Sequence, residues 1–279
     1  MGSPTGSTRV AAVIGQPIAH SLSPILFNAA FEAAAMDWVF LAFEVAAGDT
    51  RRALDGVRAL GIAGLSVTMP HKDAAFEAAD EVTPEAEALR AVNCFVNRAG
   101  MLIGHNTDGE GFVAALAAEG ISASGERCVV LGAGGAARSV VAALGRAGAE
   151  ITVVNRSSDK AELAARLGGS RSKVGSIDAV EEASILVNAT SVGMGGDGLP
   201  VPLELLARPP RVVVDLVYHP VETPLLVAAR ERGARTVDGV GMLVHQGALA
   251  FRLWTGHDAP VDAMTEAARR HLAEREPAR

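Results

Sequence analysis

VVLGAGGAAR, residues 129–138, is the stretch that decides the fold. An apolar run of strand length leads into a glycine-rich turn, and the turn opens an alanine-rich helix. Gly132, Gly134 and Ala137 occupy the positions of the G-x-G-x-x-G/A pattern, in which the first glycine permits a tight turn and the second admits a pyrophosphate to the helix N-terminus. A tight turn without a ligand fits the same pattern. Its place in a β-α-β unit favours a dinucleotide site.

The next strand predicts which dinucleotide binds. Residues 149–160 read AEITVVNRSSDK, so this strand ends in Asn155, Arg156 and Ser157. An NAD site usually has an acidic residue here for the ribose 2′-hydroxyl. A carboxylate would repel a 2′-phosphate, whereas a guanidinium can bind it with two parallel hydrogen bonds. We therefore predict NADP(H), with an exposed arginine at a strand end as the alternative interpretation of Arg156.

Strand-length apolar runs alternate with alanine-rich helical segments along the rest of the chain, which is typical of α/β proteins. In the N-terminal half this β-α-β-α-β order implies parallel pairing. A helical region at 73–90 follows, and then two short strands around Gly100 form the one antiparallel hairpin that we predict. The strands before it are predicted at 9–15, 38–45 and 61–69, and the helices at 24–35 and 49–60.

A long helix from about residue 107 precedes the glycine-rich unit, and more strands and helices follow that unit. We predict two α/β domains with a cleft between them. Residues 1–109 with 241–279 would form a mostly parallel-sheet substrate domain, and 110–240 a Rossmann-like NADP-binding domain. The C-terminal helices are assigned to the first domain because a chain that leaves one domain often returns to complete it. The later strands are predicted at 184–190, 211–218 and 234–239, and the helices at 240–256 and 260–273.

Composition narrows the range of partners. The net charge is −7, aromatic residues make up 4%, and there is no basic run, which argues against nucleic acid and membrane surfaces. Cys94 and Cys128 lie in apolar stretches without a C-x-x-C motif, as expected for reduced thiols. No run resembles a signal peptide or a membrane span. We expect a cytoplasmic protein, monomeric or homodimeric, that binds a small-molecule substrate.

Two ionisable residues lie near predicted strand ends, where α/β sheets bind ligands. Lys72 closes the segment GLSVTMPHK (64–72), and Asp108 lies in GHNTDG (104–109) at the start of the long helix. If the two groups meet, they can move a proton to or from a substrate hydroxyl. Lys72 as a surface residue and Asp108 as a helix cap remain open on spacing alone.

Two serines stand in the motif HSLSP, residues 20–24. Ser23 before Pro24 predicts a helix start, with the serine as N-cap and the proline as the first helical residue. Ser21 then has no structural role. Three histidines lie near these motifs, but a metal site needs three or four converging ligands. We predict no metal site and expect the His71 side chain to face solvent.

Nine short motifs occur along both predicted domains, in the order GQPIAHSLSP, SVTMPHK, AVN, NTDG, GAGGAAR, NRS, NATSVGM, DLVYHPVETPLL and DGVGMLVHQG. In these motifs and their order the chain resembles the shikimate dehydrogenase family, over about residues 9–256. The family reduces 3-dehydroshikimate to shikimate with NADPH in aromatic amino-acid biosynthesis.

The resemblance implies a role for each matching residue. Ser21 and Ser23 would hydrogen-bond the substrate carboxylate, Lys72 would exchange a proton with the C3 hydroxyl, and Asp108 would orient Lys72. The remaining substrate positions are Thr68, Asn93 and Gln246 at the ring hydroxyls and Tyr218 near the carboxylate. The cofactor positions are Gly132, Ala133, Gly134, Gly135, Ala136, Asn155, Arg156, Ser157 and Lys160 in two loops, and Leu216, Gly239 and Met242 around the nicotinamide.

Three positions depart from the family pattern. Ser66 stands where asparagine is common, Arg90 where glycine is usual, and Cys94 where threonine is usual. These differences concern the local loop geometry and leave Lys72, Asn93 and Asp108 in place.

Two other functions remain open. One is a quinate or dual quinate/shikimate dehydrogenase, often an NAD enzyme, against which Arg156 argues. The other is a non-catalytic NADP-binding sensor, against which the intact Lys72 and Asp108 argue.

Overall fold

A computed structural model describes residues 3–275 of the chain. The chain forms two compact units. The first contains residues up to Thr107 together with Val244–His271, and the second contains Asp108–Leu243 and residues from Leu272. Each unit is built around a six-stranded sheet with helices, so the prediction of two α/β domains is confirmed. Over the described residues, none of the helices combines the length and apolar character needed to cross a bilayer.

The first unit has the sheet order β2-β1-β3-β5-β6-β4. β1 pairs in parallel with β2 and β3, as the β-α-β-α-β pattern predicts, and β4 pairs in parallel with β6. The elements in chain order are β1 (Arg9–Gly15), α1 (Ser23–Ala33), β2 (Trp38–Glu44), α2 (Thr50–Ala59), β3 (Gly64–Val67), α3 (Lys72–Ala78), β4 (Glu81–Val82), α4 (Pro84–Leu89), β5 (Cys94–Arg98) and β6 (Met101–His105).

Two expectations for this unit need correction. The region 73–90 is not one helix, because the chain extends at Ala79 and the short strand β4 joins the sheet beside β6. The hairpin β5–β6 forms as predicted, with Ala99 and Gly100 at positive φ in its turn, but it is not the only antiparallel pair. β3 also pairs antiparallel with β5, which joins the hairpin to the parallel strands.

The second unit has the sheet order β12-β11-β10-β7-β8-β9, with all strands parallel. Counted from β7, this is the 3-2-1-4-5-6 order of a dinucleotide-binding fold. The elements are α5 (Asp108–Ala118), β7 (Arg127–Leu131), α6 (Gly135–Arg146), β8 (Glu150–Val154), α7 (Ser158–Leu167), β9 (Ser172–Val174), β10 (Ile185–Asn188), β11 (Val212–Asp215), α8 (Pro224–Arg230), β12 (Arg235–Val237) and the start of α9 (Gly239–Thr255). From Val244 onward α9 belongs to the first unit, as does α10 (Val261–Arg275) up to His271.

The strand β9 was not predicted. It has three residues, and two of them, Lys173 and Val174, are exposed, so it carries no apolar pattern that a sequence search could detect. It exists because it extends the edge of the sheet beside β8. Its register pairs Ile151 with Ser172.

The two sheets are packed differently. In the first unit, aromatic side chains from α1, β2 and α9 cover one face, and the rings of Phe27 and Phe40 stack with centroids 4.4 Å apart. Trp254 Nε1 donates a hydrogen bond to Phe95 O at 2.9 Å, and its ring lies so close to Gly64 that a Cβ there would sit 2.5 Å from it. In the second unit, aliphatic clusters fill both faces, as expected for a parallel sheet.

Candidate active site

Polar residues of the first unit gather where β3 and β6 end and β5 begins. Asn93 O accepts from Val67 N at 2.7 Å, and Asn93 N donates to His105 O at 3.0 Å. The residue before β5 is therefore hydrogen-bonded to the last residues of both β3 and β6. The carbonyl of Lys72 accepts from Val92 N at 3.0 Å. The structure therefore places Thr68, Lys72 and Asn93 on one small stretch of connected backbone.

Asn93 is also fixed through its side chain. Its Oδ1 accepts from Thr107 N at 2.9 Å, and its Nδ2 donates to Thr107 Oγ1 at 3.0 Å. Thr107 Oγ1 lies 3.5 Å from Gln246 Oε1 of α9. Two predicted substrate residues, Asn93 and Gln246, are thus bridged by Thr107, which we did not predict. Its signal was the spacing T-x-x-E to Glu110, which marks a helix start.

Lys72 is the first residue of α3 and is partly exposed. His71, beside it, is only 1% exposed, so the expectation that it faces solvent was wrong. Its Nε2 lies 2.9 Å from Val45 O, and its Nδ1 lies 2.9 Å from Thr50 Oγ1. A carbonyl only accepts, so Nε2 donates to it, and in the neutral ring Nδ1 then accepts from the threonine hydroxyl. With both nitrogens engaged, His71 anchors the turn before Lys72.

The serine pair is arranged differently from our prediction. α1 begins at Ser23 itself, because Ile25 N and Leu26 N already donate to Leu22 O at 3.0 Å. Ser23 is therefore not the N-cap. Instead, Ser21 Oγ accepts from Ser23 N at 3.3 Å. The Ser23 side chain is 8% exposed, and its hydroxyl makes no hydrogen bond within residues 3–275.

Two further candidate residues belong to the second unit. Asp108 is the first residue of α5 and is 5% exposed. Gly109 beside it packs so closely on α6 that a Cβ would lie 2.6 Å from Ser139 O. Tyr218 follows β11, and burial raises the pKa of its phenol above the ordinary value.

Tyr218 is the only tyrosine in the chain, so its titration can be followed without interference. We expect its phenolate absorbance to appear above the ordinary pKa of 10.0 in the folded protein. At a pH between the phenol pKa of the unfolded chain and that of the folded chain, the unfolded chain has already lost this proton and the folded chain has not. The free energy of unfolding should therefore fall as the pH rises through this window. Denaturant titrations of wild type and Tyr218→Phe check this, since the variant should show a smaller decline.

The glycine-rich loop of the second unit has room for a pyrophosphate. Gly132 has φ +104°, and a Cβ there would lie 2.9 Å from Ala189 O, so only glycine fits. Gly134 is exposed and has nothing within 4 Å of a Cβ position. It directly precedes α6, a helix of 12 residues. Open space before a helix N-terminus fits a bound phosphate group. Ala133 lies in this loop, and Gly135 and Ala136 are the first two residues of α6.

The loop after β8 presents a free cation. Arg156 is exposed, and within residues 3–275 it makes no hydrogen bond or ion pair. Asn155 Nδ2 donates to Ser157 O at 3.0 Å, and this hydrogen bond joins the two residues on either side of Arg156. Lys160 is exposed in the first turn of α7. An unpaired guanidinium here fits a 2′-phosphate.

The residues predicted around the nicotinamide come together at the start of α9. Gly239 must be glycine, because a Cβ would lie 2.4 Å from Leu216 O. Leu216 and Met242 are partly buried and pack against the same aliphatic core cluster. They form an apolar surface within the second unit.

One polar cluster of this unit was not predicted from the sequence. Asn188 and Asp215, at the ends of β10 and β11, are both fully buried, and Asn188 Nδ2 donates to Asp215 Oδ1 at 2.8 Å. Burial raises the pKa of Asp215, while its hydrogen bonds from Thr223, Val217 and Asn188 lower it. The signal was an Asn and an Asp closing two apolar strand patterns.

The three departures have local structural counterparts. Arg90 lies in the left-handed region at φ +47°, which explains a preference for glycine there, and its guanidinium lies over the Phe76 ring, 5.0 Å from the centroid. Ser66 and Cys94 are register partners across β3 and β5, so these two differences adjoin each other.

Among the described residues, no group of three His, Cys, Asp or Glu side chains is placed to hold a metal ion.

Comparison with known proteins gives matches in both units. Residues 13–95 match the family model of the shikimate dehydrogenase substrate binding domain, and 114–193 match that of shikimate / quinate 5-dehydrogenase. Residues 239–269 match the shikimate 5′-dehydrogenase C-terminal domain. The three matches fall in the order of the motifs.

Whole proteins also align along most of their length. Shikimate dehydrogenase (NADP(+)) of Symbiobacterium thermophilum is 46% identical over 277 residues, covering 94% of each chain. A shikimate dehydrogenase solved with NADP+ has a TM-score of 0.91 at 38% identity, covering 96% of this chain and 97% of that one. Shikimate 5-dehydrogenase of Thermus thermophilus, solved with NADP(H) and shikimate, has a TM-score of 0.88 at 41% identity, covering 94% of this chain and 99% of that one.

Proposed function

The chain belongs to the shikimate dehydrogenase family, and on that premise we infer that it catalyses the NADP-dependent interconversion of 3-dehydroshikimate and shikimate. This is a step of the shikimate pathway of aromatic amino-acid biosynthesis. The observation that carries the inference is the polar group around Lys72. Neutral hydrogen-bonding side chains on connected backbone, beside one amine, suit a small ring with several hydroxyls.

We propose that Ser21 and Ser23 bind the substrate carboxylate. Ser23 is a buried residue whose hydroxyl has hydrogen-bonding capacity that no described residue uses, and it lies in the first turn of α1, an 11-residue helix. A helix N-terminus favours an anion without the help of a buried cation. Thr68, Asn93 and Gln246 would bind the ring hydroxyls, and Tyr218 would lie near the carboxylate.

We propose Lys72 as the acid–base group and Asp108 as its partner. In the reduction, the Lys72 ammonium gives a proton to the oxygen of the ketone, and in the oxidation its amine takes the proton back from the hydroxyl. NADPH, when bound, supplies the hydride that reaches the carbonyl carbon. Asp108 would orient Lys72 and accept a hydrogen bond from the neighbouring hydroxyl.

The residues that would hold NADP(H) lie in the second unit. The loop from Gly132 to Ala136 would receive the pyrophosphate, and the segment from Asn155 to Lys160 would receive the adenosine 2′-phosphate, chiefly through Arg156. Leu216, Gly239 and Met242 would pack against the nicotinamide. The open space at Gly134 and the unpaired Arg156 guanidinium support this assignment.

We also propose a cytoplasmic location and a monomer or homodimer. Cys94 and Cys128 are buried thiols in different units, and burial together with Glu126 raises the pKa of Cys128 to about 12. Such a thiol is unreactive at neutral pH, which suits a protein that forms no disulfide.

A substrate-by-cofactor assay tests the function. Purified protein is mixed with shikimate or quinate and with NADP or NAD, and reduced nicotinamide is followed by absorbance. We expect the highest kcat/KM with shikimate and NADP. A higher value with quinate and NAD would indicate a quinate dehydrogenase. No turnover with any pair, while NADP still binds, would indicate the sensor.

The two serines should respond differently to alanine. Ser23→Ala is expected to raise KM for shikimate and leave the free energy of unfolding nearly unchanged, because its hydroxyl bonds to no described residue. Ser21→Ala should raise the same KM and also destabilise the fold by roughly 0.5–1 kcal/mol, because Ser23 N loses its acceptor. Steady-state kinetics and denaturant titrations measure both effects.

The exposed Ser122 offers a matched control, because its Oγ accepts from Ser124 N at 3.3 Å, as Ser21 Oγ does from Ser23 N. Ser122→Ala changes a hydroxyl of the other unit and should leave KM for shikimate unaltered. If Ser21→Ala and Ser23→Ala both keep the wild-type KM, the serine pair does not bind the carboxylate.

A further inference from the structure

Two adjacent strands of the second unit end in side chains that bond to each other. Asn188 and Asp215 are register partners in the parallel pair β10–β11, and neither is exposed. Asn188 Oδ1 accepts from Thr190 N at 3.1 Å, and Asp215 Oδ1 accepts from Val217 N at 3.0 Å. A side chain that accepts from the N–H two residues onward makes an Asx turn. We call these linked turns the Asx pair.

The hydrogen bonds of the Asx pair reach both of the following loops. Asn188 Nδ2 donates to Asp215 Oδ1 at 2.8 Å and to Val192 O at 3.1 Å, while Asn188 Oδ1 also accepts from Thr190 Oγ1 at 2.7 Å. Asp215 Oδ2 accepts from Thr223 Oγ1 at 2.7 Å. All four atoms are thus bonded, and a fully satisfied buried network is rigid.

The loop after β11 carries residues to which we assign contacts with substrate and cofactor. Leu216 and Tyr218 lie within three residues of Asp215, and the Leu216 carbonyl is the group against which Gly239 packs. The two loops also meet further on, because Gly195 N donates to His219 O at 3.3 Å. The chain path of both loops therefore depends on the same buried side chains.

We propose that the Asx pair positions the reacting groups, and that Asp215 is the positioning residue through which it acts on Leu216 and Tyr218. The inference rests on the proposed function. Asp215 touches neither substrate nor cofactor in this role. It holds the backbone from which Leu216 faces the nicotinamide and Tyr218 faces the substrate carboxylate.

Asp215 Oδ1 accepts two of the three hydrogen bonds at this side chain, and this separates two variants. Asp215→Asn keeps an oxygen for Asn188 Nδ2 and Val217 N. Its new amide can donate to Thr223 Oγ1, which accepts from Leu226 N and has a second lone pair. Asp215→Ala removes every one of these bonds. The asparagine variant should therefore rescue what the alanine variant loses.

Three measurements test the role in wild type and in both variants. We expect Asp215→Ala to speed hydrogen exchange in the apoprotein by about tenfold or more in peptides of the loops after β10 and β11, but not in α6. Its Kd for adenosine 2′,5′-bisphosphate, which occupies only the adenosine end, should stay within about twofold. With shikimate and NADP, kcat should fall by about tenfold or more, with a larger primary deuterium isotope effect. Asp215→Asn should lie close to wild type in all three.

Each other outcome has a meaning. Wild-type kcat and exchange in Asp215→Ala would overturn the proposal, and so would a parallel loss of bisphosphate binding, which indicates collapse of the unit. If Asp215→Ala does not fold, Asp215→Asn and Thr190→Val decide. Thr190→Val removes the hydroxyl that donates to Asn188 Oδ1 and accepts from Val192 N, so loop exchange must rise and kcat must fall. No change in either quantity overturns the role. If wild type does not oxidise shikimate, the proposed function fails. The exchange and bisphosphate measurements need no turnover, so they still test whether the Asx pair orders the two loops.

Discussion

Lys72→Ala is expected to lower kcat by about 10²-fold or more, because the reaction loses the group that exchanges a proton with the substrate oxygen. The Kd for NADP should stay close to wild type, since the residues that would hold the cofactor lie in the other unit. Stopped-flow and steady-state kinetics with shikimate measure the first quantity, and fluorescence titration with NADPH measures the second. Exogenous primary amines should restore part of the activity, because they can supply the missing base.

Two further variants separate proton transfer from charge. Lys72→Arg keeps a cation but cannot give up its proton near neutral pH, so it should remain as slow as the alanine variant. Lys173→Ala removes an exposed lysine of β9 and should leave kcat unchanged. A wild-type kcat in Lys72→Ala would remove Lys72 from the mechanism.

The elements that could be predicted are those whose pattern is local. Residues 129–138 contain an apolar strand end, the glycines Gly132 and Gly134 and a helix start, and the structure has all three where the pattern places them. The hairpin around Gly100 is similar, because Asn97, Ala99 and Gly100 make the turn among themselves. Neither needs information from distant residues.

What could not be predicted depends on residues far apart in sequence. His71 lies in a polar motif and was expected to face solvent, but its imidazole is buried because Val45 and Thr50 supply partners for both nitrogens. Likewise β9 and the pairing of β3 with β5 follow from the sheet that they join, since three- and four-residue strands have little pattern of their own. Here tertiary contacts outweigh local propensity.

The serines show how small an error in a helix boundary changes an interpretation. Moving the start of α1 by one residue puts Ser23 inside the helix and transfers the backbone contact to Ser21. Helix ends are difficult to place from sequence because several residues near the end can cap it. This changes the chemistry of the site, because the hydroxyl without a protein partner is then that of Ser23.

Arg156→Ala is expected to raise KM for NADP by roughly 10- to 100-fold and to leave KM for NAD nearly unchanged. A hydrogen bond to a charged group contributes about 1.5–3 kcal/mol, and 1.4 kcal/mol corresponds to a factor of ten. NAD has no 2′-phosphate and would lose nothing. Arg156 is exposed and bonds to no residue within 3–275, so its removal should not disturb the fold. A change in KM for NADP would therefore report the contact with the cofactor.

Companion variants test the geometry of this contact. Arg156→Lys keeps the charge but cannot make two parallel hydrogen bonds, so its KM for NADP should fall between those of wild type and alanine. Arg156→Glu should reverse the cofactor preference, since a carboxylate repels the phosphate and can accept from the ribose 2′-hydroxyl of NAD. Arg166→Ala removes an exposed arginine of α7 that pairs with Glu162, and it should alter neither KM. Equal changes for both cofactors in Arg156→Ala would mean that the guanidinium does not bind the 2′-phosphate, because only NADP carries that group.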